Sequence, residues 1–204
     1  MPTSLYLVRH GESAGNRAGR WHGHTETPLT SLGKRQAKAL AKRFAALKFD
    51  AVYASDLSRA ADTAAHLVTG NGLEVNHDPR LREVNYGEWE ALDGKAVLGK
   101  NREKWMSFAL GKIPAPGGED ITTVRWRMSA CFREFAEKHK DGNVLIVSHG
   151  SAMIAGIAEL LGMPVETTWS FAMDNASITK LEVVQANRFV LSRLNDAAHL
   201  EGLK

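Results

Sequence analysis

The chain has 204 residues, of which 44% are hydrophobic and 24% are charged, a balance typical of a globular domain with a buried core. Its formal net charge is only +3, and the Lys and Arg residues are scattered along the chain. This argues against a nucleic-acid surface, whereas a small cationic excess suits an anionic substrate. We therefore expect one domain over residues 1–204 that binds a small anionic molecule.

The cysteine content and the apolar segments indicate the expected cellular location of the chain. Cys131 is the only cysteine, so an intrachain disulfide cannot form. A phosphatase loop built on this cysteine would need an arginine where Glu137 stands. The mostly apolar stretch at 151–163 contains Glu159 and is shorter than the roughly 20 residues that cross a bilayer. The N-terminus has no basic segment before a long apolar one, so we predict a cytoplasmic protein without a membrane span.

Apolar periodicity predicts strands that alternate with helices. In chain order, the first predicted elements are a strand at 5–8, a helix at 31–47, a strand at 51–54 and a helix at 57–68. The later ones are a helix at 121–138, a strand at 144–147, and two C-terminal strands at 177–183 and 188–193 that pair antiparallel. Thr30 or Ser31 is expected to cap the first helix and Asp56 the second. This alternation indicates a largely parallel α/β sheet.

Residues 87–118 interrupt the alternation. They are rich in Gly and Lys and end in a stretch of Pro and Gly residues, which is typical of an insertion. We predict a helical cap over a site. Trp89, Trp105 and Trp126 lie at helical spacing from other apolar residues and are expected to pack in the core or the cap.

Two predicted strands end in the same way, with a histidine followed by a glycine. His10 follows the strand at 5–8, directly after Arg9, and His149 follows the strand at 144–147. Arg59 stands in the first turn of the helix after the third strand, where backbone N–H groups favour an anion. Ligands of open α/β sheets bind at the carboxyl ends of the strands, so we expect these cationic groups to meet there.

The residue types at this edge suit phosphoryl transfer. Arg9 and Arg59 can clamp phosphoryl oxygens bidentately, and His149 can donate one further hydrogen bond. A neutral His10 can attack phosphorus without first losing a proton, and its N–P bond is labile enough to react onward. Glu83 is the candidate for protonating the leaving group, because a carboxyl beside a phosphate readily takes up a proton.

Ordered motifs along nearly the whole chain resemble the histidine phosphatase superfamily, the phosphoglycerate-mutase-like proteins. They are residues 7–13 (LVRHGES) with Asn16, 28–33 (PLTSLG), 53–60 (YASDLSRA), 81–83 (LRE), 116–119 (PGGE), 147–150 (VSHG) and 175–179 (NASIT). One Arg-His-Gly triplet would be weak support, whereas this ordered set is specific. One departure is Ala91, where many members have the last glycine of Gly-Xaa-Trp-Glu-Gly. This difference weakens any inference about the substrate.

The resemblance implies a three-layer α/β/α domain that needs no metal and no cofactor. It also implies a phosphohistidine intermediate at His10 and proton transfer by the residue at the Glu83 position. The phosphate-binding residues that it implies are Arg9, Arg59, His149 and Asn16. It would bring the backbone of Gly23 near the substrate, and Trp21 beside it is the expected contact for the rest of a small phosphorylated metabolite.

Three functions remain open at this point. The segment from Val84 to Ser148 is shorter than the insertion usual in dedicated phosphoglycerate mutases, which favours a phosphatase over a mutase. A binding module without turnover is a third possibility, against which the intact catalytic set argues. Glu83 could instead pair with Arg80 or Arg82 on a surface loop. The sequence does not identify the natural substrate, the oligomeric state or the phosphorylated nitrogen of His10.

The pair His22 and His24 could suggest a metal site, but no cluster of carboxylates accompanies it. We therefore interpret it as part of a loop.

Overall fold

The computed structural model describes residues 2–70, 72–184 and 188–203, so the predicted domain end points 1 and 204 lie outside the described residues. The strands are β1 (Thr3–Arg9), β2 (Ala51–Ala54), β3 (Val75–His77), β4 (Asn143–Ser148), β5 (Ile178–Val183) and β6 (Phe189–Asp196). The α-helices are α1 (Ala14–Arg17), α2 (Ser31–Phe44), α3 (Ser58–Val68), α4 (Gly94–Lys100), α5 (Arg102–Ala109), α6 (Ile121–Lys138) and α7 (Gly150–Leu160).

All six strands form one sheet in the order β3-β2-β4-β1-β5-β6. The first four strands of this order run parallel, with Val8 of β1 opposite Val147 of β4. Strand β5 is antiparallel to β1, and β6 is antiparallel to β5. The predicted largely parallel sheet and its antiparallel C-terminal pair are therefore confirmed.

Helices cover both faces of the sheet. Side chains alternate along each strand, so the buried strands present apolar side chains to both faces, and each face packs against helices. Leu7 and Ile146 point to one face and pack with residues of α6 and α7. Val8 and Val147 point to the other face and pack with residues of α2 and α3. The result is the three-layer α/β/α architecture that the family resemblance implies.

Helix starts agree with the predicted caps except at α3, and α2 ends at Phe44, three residues before the predicted end. Thr30 Oγ1 accepts a hydrogen bond from the Gly33 N–H at 3.0 Å, so Thr30 caps α2. The predicted cap at Asp56 is wrong, because its carboxylate is paired with Arg82. The carboxylate of Glu26 instead accepts a hydrogen bond from the Ser58 N–H at 3.0 Å.

Residues 87–118 contain the two short helices α4 and α5. Trp89 is buried, and the ring of Trp105 packs 4.8 Å from that of Trp21, centroid to centroid. The expectation for Trp126 is wrong, because this side chain is 74% exposed on α6. Among the helices that the structure describes, none has both the length and the apolar character of a membrane span.

Candidate active site

The carboxyl ends of β1, β2 and β4 lie side by side and bring distant parts of the chain to one cleft of about 480 Å³, including its open mouth. The cleft is lined by Arg9, His10, Ser13, Asn16, Arg20, Trp21, His22, Gly23, Arg59, Glu83, Tyr86 and Ser151. Of the residues predicted for the site, only His149 is not among these lining residues. The cleft lies where parallel α/β sheets bind their ligands.

His10 is buried at the end of β1 and is held in one orientation. Its Nδ1 lies 2.7 Å from the carbonyl oxygen of Gly11. A carbonyl can only accept, so Nδ1 carries the proton and Nε2 of the neutral ring keeps its lone pair. Burial lowers the pKa of His10 well below its usual value, and the charges of Arg59 and Arg9 add to this effect. The ring is therefore neutral, which is the form a nucleophile requires.

Two arginines, the half-buried Arg9 and the buried Arg59, supply positive charge to the cleft. Arg9 donates from Nη1 to the carbonyl oxygen of Met173 at 2.6 Å, and its buried Nε has no partner within the described chain. Arg59 donates to the carbonyl oxygens of Gly23 at 2.7 Å and Thr25 at 3.1 Å. Burial lowers the pKa of both guanidinium groups. Each guanidinium has five N–H donors, so both retain donors for an anion.

The carboxylate of Glu83 lies at the N-terminus of α7. Oε1 accepts from the N–H groups of Val84 at 2.9 Å and Ala152 at 2.8 Å, and Oε2 accepts from Ser151 at 3.3 Å. A helix N-terminus is a favourable place for a carboxylate. These donors orient the side chain along the cleft wall.

A surface ion pair does not explain Glu83. Arg80 pairs with Asp78 and Glu134, and Arg82 pairs with Asp56. The alternative that Glu83 merely pairs with one of these arginines is therefore wrong.

His149 lies beside His10, with 5.1 Å between the ring centroids, and is fully buried. Its Nε2 is 2.8 Å from the hydroxyl oxygen of Ser55. Burial lowers the pKa of His149 well below its usual value, with a further contribution from the charge of Arg59. His149 thus packs against the ring of His10, its buried Nδ1 has no hydrogen-bond partner within the described residues, and its contact with phosphate remains a prediction.

Asn16 is fixed by its side-chain oxygen. Oδ1 accepts from the N–H of Ser13 at 3.1 Å and from Nδ2 of Asn175 at 3.0 Å, and the same Asn175 amide donates to the carbonyl oxygen of His10. These bonds leave the Nδ2 amide of Asn16 as the donor for a ligand. Asn175 thus connects Asn16 to the backbone of His10.

The loop after α1 forms the outer wall of the cleft. The ring of Trp21 packs against those of Tyr86 and Trp105, each with a centroid distance of 4.8 Å. Gly23 has a φ of +40°, and a Cβ there would lie 2.0 Å from Oε1 of Glu90. A side chain at position 23 would therefore displace the loop.

Sequence reasoning missed five lining residues, namely Ser13, Arg20, His22, Tyr86 and Ser151. Ser13 belongs to the motif at 7–13 and Ser151 directly follows the motif at 147–150, whereas Arg20 and Tyr86 follow no pattern that marks them. His22 stands out only as part of a possible metal pair. His22 and His24 do not act as a pair, because His22 lines the cleft and Nε2 of His24 donates to the carbonyl oxygen of Glu83 at 2.9 Å. Within residues 2–70, 72–184 and 188–203, no group of three or more His, Cys, Asp or Glu residues is placed to hold a metal ion.

Known proteins are similar to this chain in sequence and in fold. Phosphoserine phosphatase 1 of Hydrogenobacter thermophilus is 34% identical over 199 residues, which are 96% of this chain and 93% of that protein. A probable phosphoglycerate mutase, GpmB, of Cronobacter sakazakii is 33% identical over 97% of this chain and 94% of its own length. YhfR of Bacillus stearothermophilus has a TM-score of 0.89 at 30% identity, with 98% of this chain and 100% of that chain covered.

Another solved structure, phosphoserine phosphatase of Entamoeba histolytica in complex with 3-phosphoglyceric acid, has a TM-score of 0.87 at 27% identity and covers 97% of this chain and 99% of that one. Three of these four relatives carry the names of enzymes, which argues against a binding module without turnover. A family model of the histidine phosphatase superfamily (branch 1) matches residues 5–197. With the cleft at the strand ends, this match makes the chain an enzyme that belongs to the histidine phosphatase superfamily.

Proposed function

We propose that this enzyme is a metal-independent phosphatase that hydrolyses small phosphomonoesters through a phosphohistidine at Nε2 of His10. The observation that carries the proposal is the hydrogen bond from Nδ1 of His10 to Gly11. It leaves the lone pair of Nε2 available in a cleft that also contains two arginines with spare donors and one carboxylate.

In the first step Nε2 of His10 attacks phosphorus and the P–O bond to the leaving group breaks. Glu83, in its protonated form, gives its proton to the departing alkoxide, so the alcohol leaves neutral. Arg9, Arg59 and Asn16 hold the phosphoryl oxygens and offset their charge, with His149 as a fourth contact.

In the second step the carboxylate of Glu83 takes a proton from water, and the water oxygen attacks the phosphohistidine. The N–P bond breaks, inorganic phosphate leaves, and the lone pair returns to Nε2 of His10. The positive charge needed for both steps comes from the arginines.

The rest of the substrate would contact Trp21 and the backbone of Gly23. We propose that residues 87–118 act as a cap that sets specificity within a single domain over residues 1–204. Support comes from the packing of Trp105 in this segment against Trp21 on the cleft wall. The substrate would be a small phosphorylated metabolite of the cytoplasm, and the buried free thiol of Cys131 is compatible with that reducing location.

The alternative is a mutase, in which a hydroxyl group of a second substrate replaces water in the second step. The relative named as a probable phosphoglycerate mutase favours this alternative. The shortness of the segment between Glu83 and His149 favours the phosphatase.

Substitution of His10 tests the mechanism. We expect His10→Ala to lower kcat by about 10⁴-fold or more, because the nucleophile is lost. The assay measures phosphate release from an aryl phosphate, phosphoserine and 3-phosphoglycerate with EDTA present. Rapid quenching into alkali, in which phosphohistidine survives, should trap a radiolabelled phosphoryl group on the wild type but not on His10→Ala. The exposed His77 provides the matched control, and His77→Ala should behave like the wild type.

Each result decides between the candidates. Phosphate release that persists in His10→Ala contradicts the mechanism, and so does loss of wild-type activity in EDTA. Interconversion of phosphoglycerates faster than hydrolysis makes the enzyme a mutase.

A further inference from the structure

Glu90 joins two segments of the cleft wall through one carboxylate. Oε1 accepts from the N–H groups of His24 at 2.9 Å and Tyr86 at 3.2 Å. Oε2 accepts from the N–H of Thr25 at 2.8 Å and from its hydroxyl group at 2.5 Å. The loop at 23–25 is therefore tied to the turn at 86–90.

The same loop holds Arg59 from its other side. The carbonyl oxygens of Gly23 and Thr25 accept from Nη2 and Nη1 of Arg59, at 2.7 Å and 3.1 Å. Two carbonyls on one short loop define the plane of the guanidinium group. Any movement of the loop therefore turns the donors that Arg59 presents to the cleft.

The contact between Glu90 and the loop is close. Gly23 has a φ of +40°, and Oε1 of Glu90 lies only 2.0 Å from the position that a Cβ would take there. The positions of Gly23, Thr25 and Arg59 thus depend together on the carboxylate.

We propose that Glu90 is a positioning residue, which orients the guanidinium of Arg59 toward the phosphoryl group through the backbone of residues 23–25. The proposal rests on the phosphate-binding role proposed for Arg59. It assigns to Glu90 a part in turnover although its side chain touches neither the nucleophile nor the phosphoryl site.

Glu90→Gln tests the proposal with almost no change in shape. Each carboxylate oxygen faces a backbone N–H, so either orientation of the amide places an NH₂ group against an N–H. We expect kcat/KM to fall by about 10- to 100-fold, because a misplaced clamp loses alignment with the phosphoryl group. The inhibition constant for inorganic phosphate should rise by a similar factor. Glu88→Gln, at an exposed position in the same turn, should leave both values unchanged.

A double-mutant cycle with Arg59→Ala separates positioning from general stability. If Glu90 acts through Arg59, Glu90→Gln should lower kcat/KM by less than about twofold when Arg59 is already absent. If the losses in kcat/KM of the two single variants multiply in the double variant, the two residues act independently and the proposal is overturned. A lowered Tm in Glu90→Gln with unchanged phosphate inhibition would also overturn it.

Two further results complete the design. If Glu90→Gln does not fold, Thr25→Val replaces it, because this variant removes only the hydroxyl donor to Glu90. A rise of about two- to fivefold in its inhibition constant for phosphate supports the proposal. An unchanged inhibition constant overturns it. If Arg59→Ala itself retains normal phosphate inhibition, the proposed role of Arg59 fails. If Arg59→Ala is impaired but Glu90→Gln is not, only the positioning role fails.

Discussion

Arg9, His10 and Glu83 are each held by main-chain groups. The carbonyl oxygen of Met173 accepts from Arg9, that of Gly11 accepts from His10, and backbone N–H groups near the start of α7 donate to Glu83. Strands and helix ends fix these main-chain groups, so the side chains need little reorganisation when a phosphate binds. Rigid supports of this kind would allow three residues from distant segments to act on one phosphorus atom, as the proposed mechanism requires.

Substitution of Gly23 tests how closely the loop must fit. Gly23→Ala should lower kcat/KM by at least about tenfold, because the new Cβ would lie 2.0 Å from Oε1 of Glu90 and displace the carbonyls that hold Arg59. Gly19→Ala is the control, since Gly19 also has a positive φ but a methyl group there would meet no atom within 4 Å. Steady-state kinetics measure both variants. Equal losses of kcat/KM in Gly23→Ala and Gly19→Ala would mean that backbone strain, and not the contact with Glu90, lowers the activity.

At the scale of elements, α6 shows how a helix divides its sequence between the core and the solvent. Arg125 is only 5% exposed and donates to the carboxylate of Glu159, the hydroxyl of Thr168 and the carbonyl oxygen of Met163. The next residue, Trp126, is 74% exposed. The helix therefore buries a charged side chain and exposes a large aromatic one, because its rotation is set by packing against α7.

The buried Arg125 and the exposed Trp126 lead to a prediction about stability. Arg125→Ala should reduce the free energy of unfolding by about 3 kcal/mol or more, because it leaves three polar partners without their buried donor. Trp126→Ala should change it by less than about 0.5 kcal/mol, as is usual at exposed positions. Urea unfolding at neutral pH measures both variants. A loss at Trp126 as large as that at Arg125 would show that the tryptophan packs against another surface.

At the scale of the whole molecule, folding buries two imidazole rings among fixed positive charges. Burial lowers the pKa of His10 and His149 well below the usual value, and the charge of Arg59 contributes to both shifts. An unfolded histidine titrates near a pKa of about 6.5. Below that pH the unfolded chain binds protons that the folded chain does not, so the free energy of unfolding must decrease as the pH falls.

The pH dependence of stability tests this coupling. Below pH ~6.5 each of these histidines should lower the free energy of unfolding by up to about 1.4 kcal/mol per pH unit, until the pH reaches its lowered folded pKa. Urea unfolding between about pH 7.5 and pH 5 should therefore show a shallower decline for His149→Gln than for the wild type. His77→Gln, at an exposed site, should follow the wild type. Parallel curves for wild type and His149→Gln would contradict the expected effect of burial.

Much of the fold could be predicted because local patterns carry it. The helix at 121–138 and the strand at 51–54 have the predicted bounds, since apolar spacing and end signals lie within each segment. The prediction failed where a partner distant in sequence decided the result. Glu26 takes the place at α3 that Asp56 was expected to fill, because Asp56 pairs with Arg82 instead.

The sequence by itself determined the strand ends at His10 and His149, the two arginines and the family, because these depend on residue type and order. Only the tertiary structure decided which side chains share the cleft. It placed Arg20, His22 and Tyr86 on the wall of the cleft, brought the ring of His149 to 5.1 Å from that of His10, and linked Glu90 to Arg59 through a loop. These relations are distances between groups brought together by the sheet and the loops, and no local pattern of residues encodes such distances.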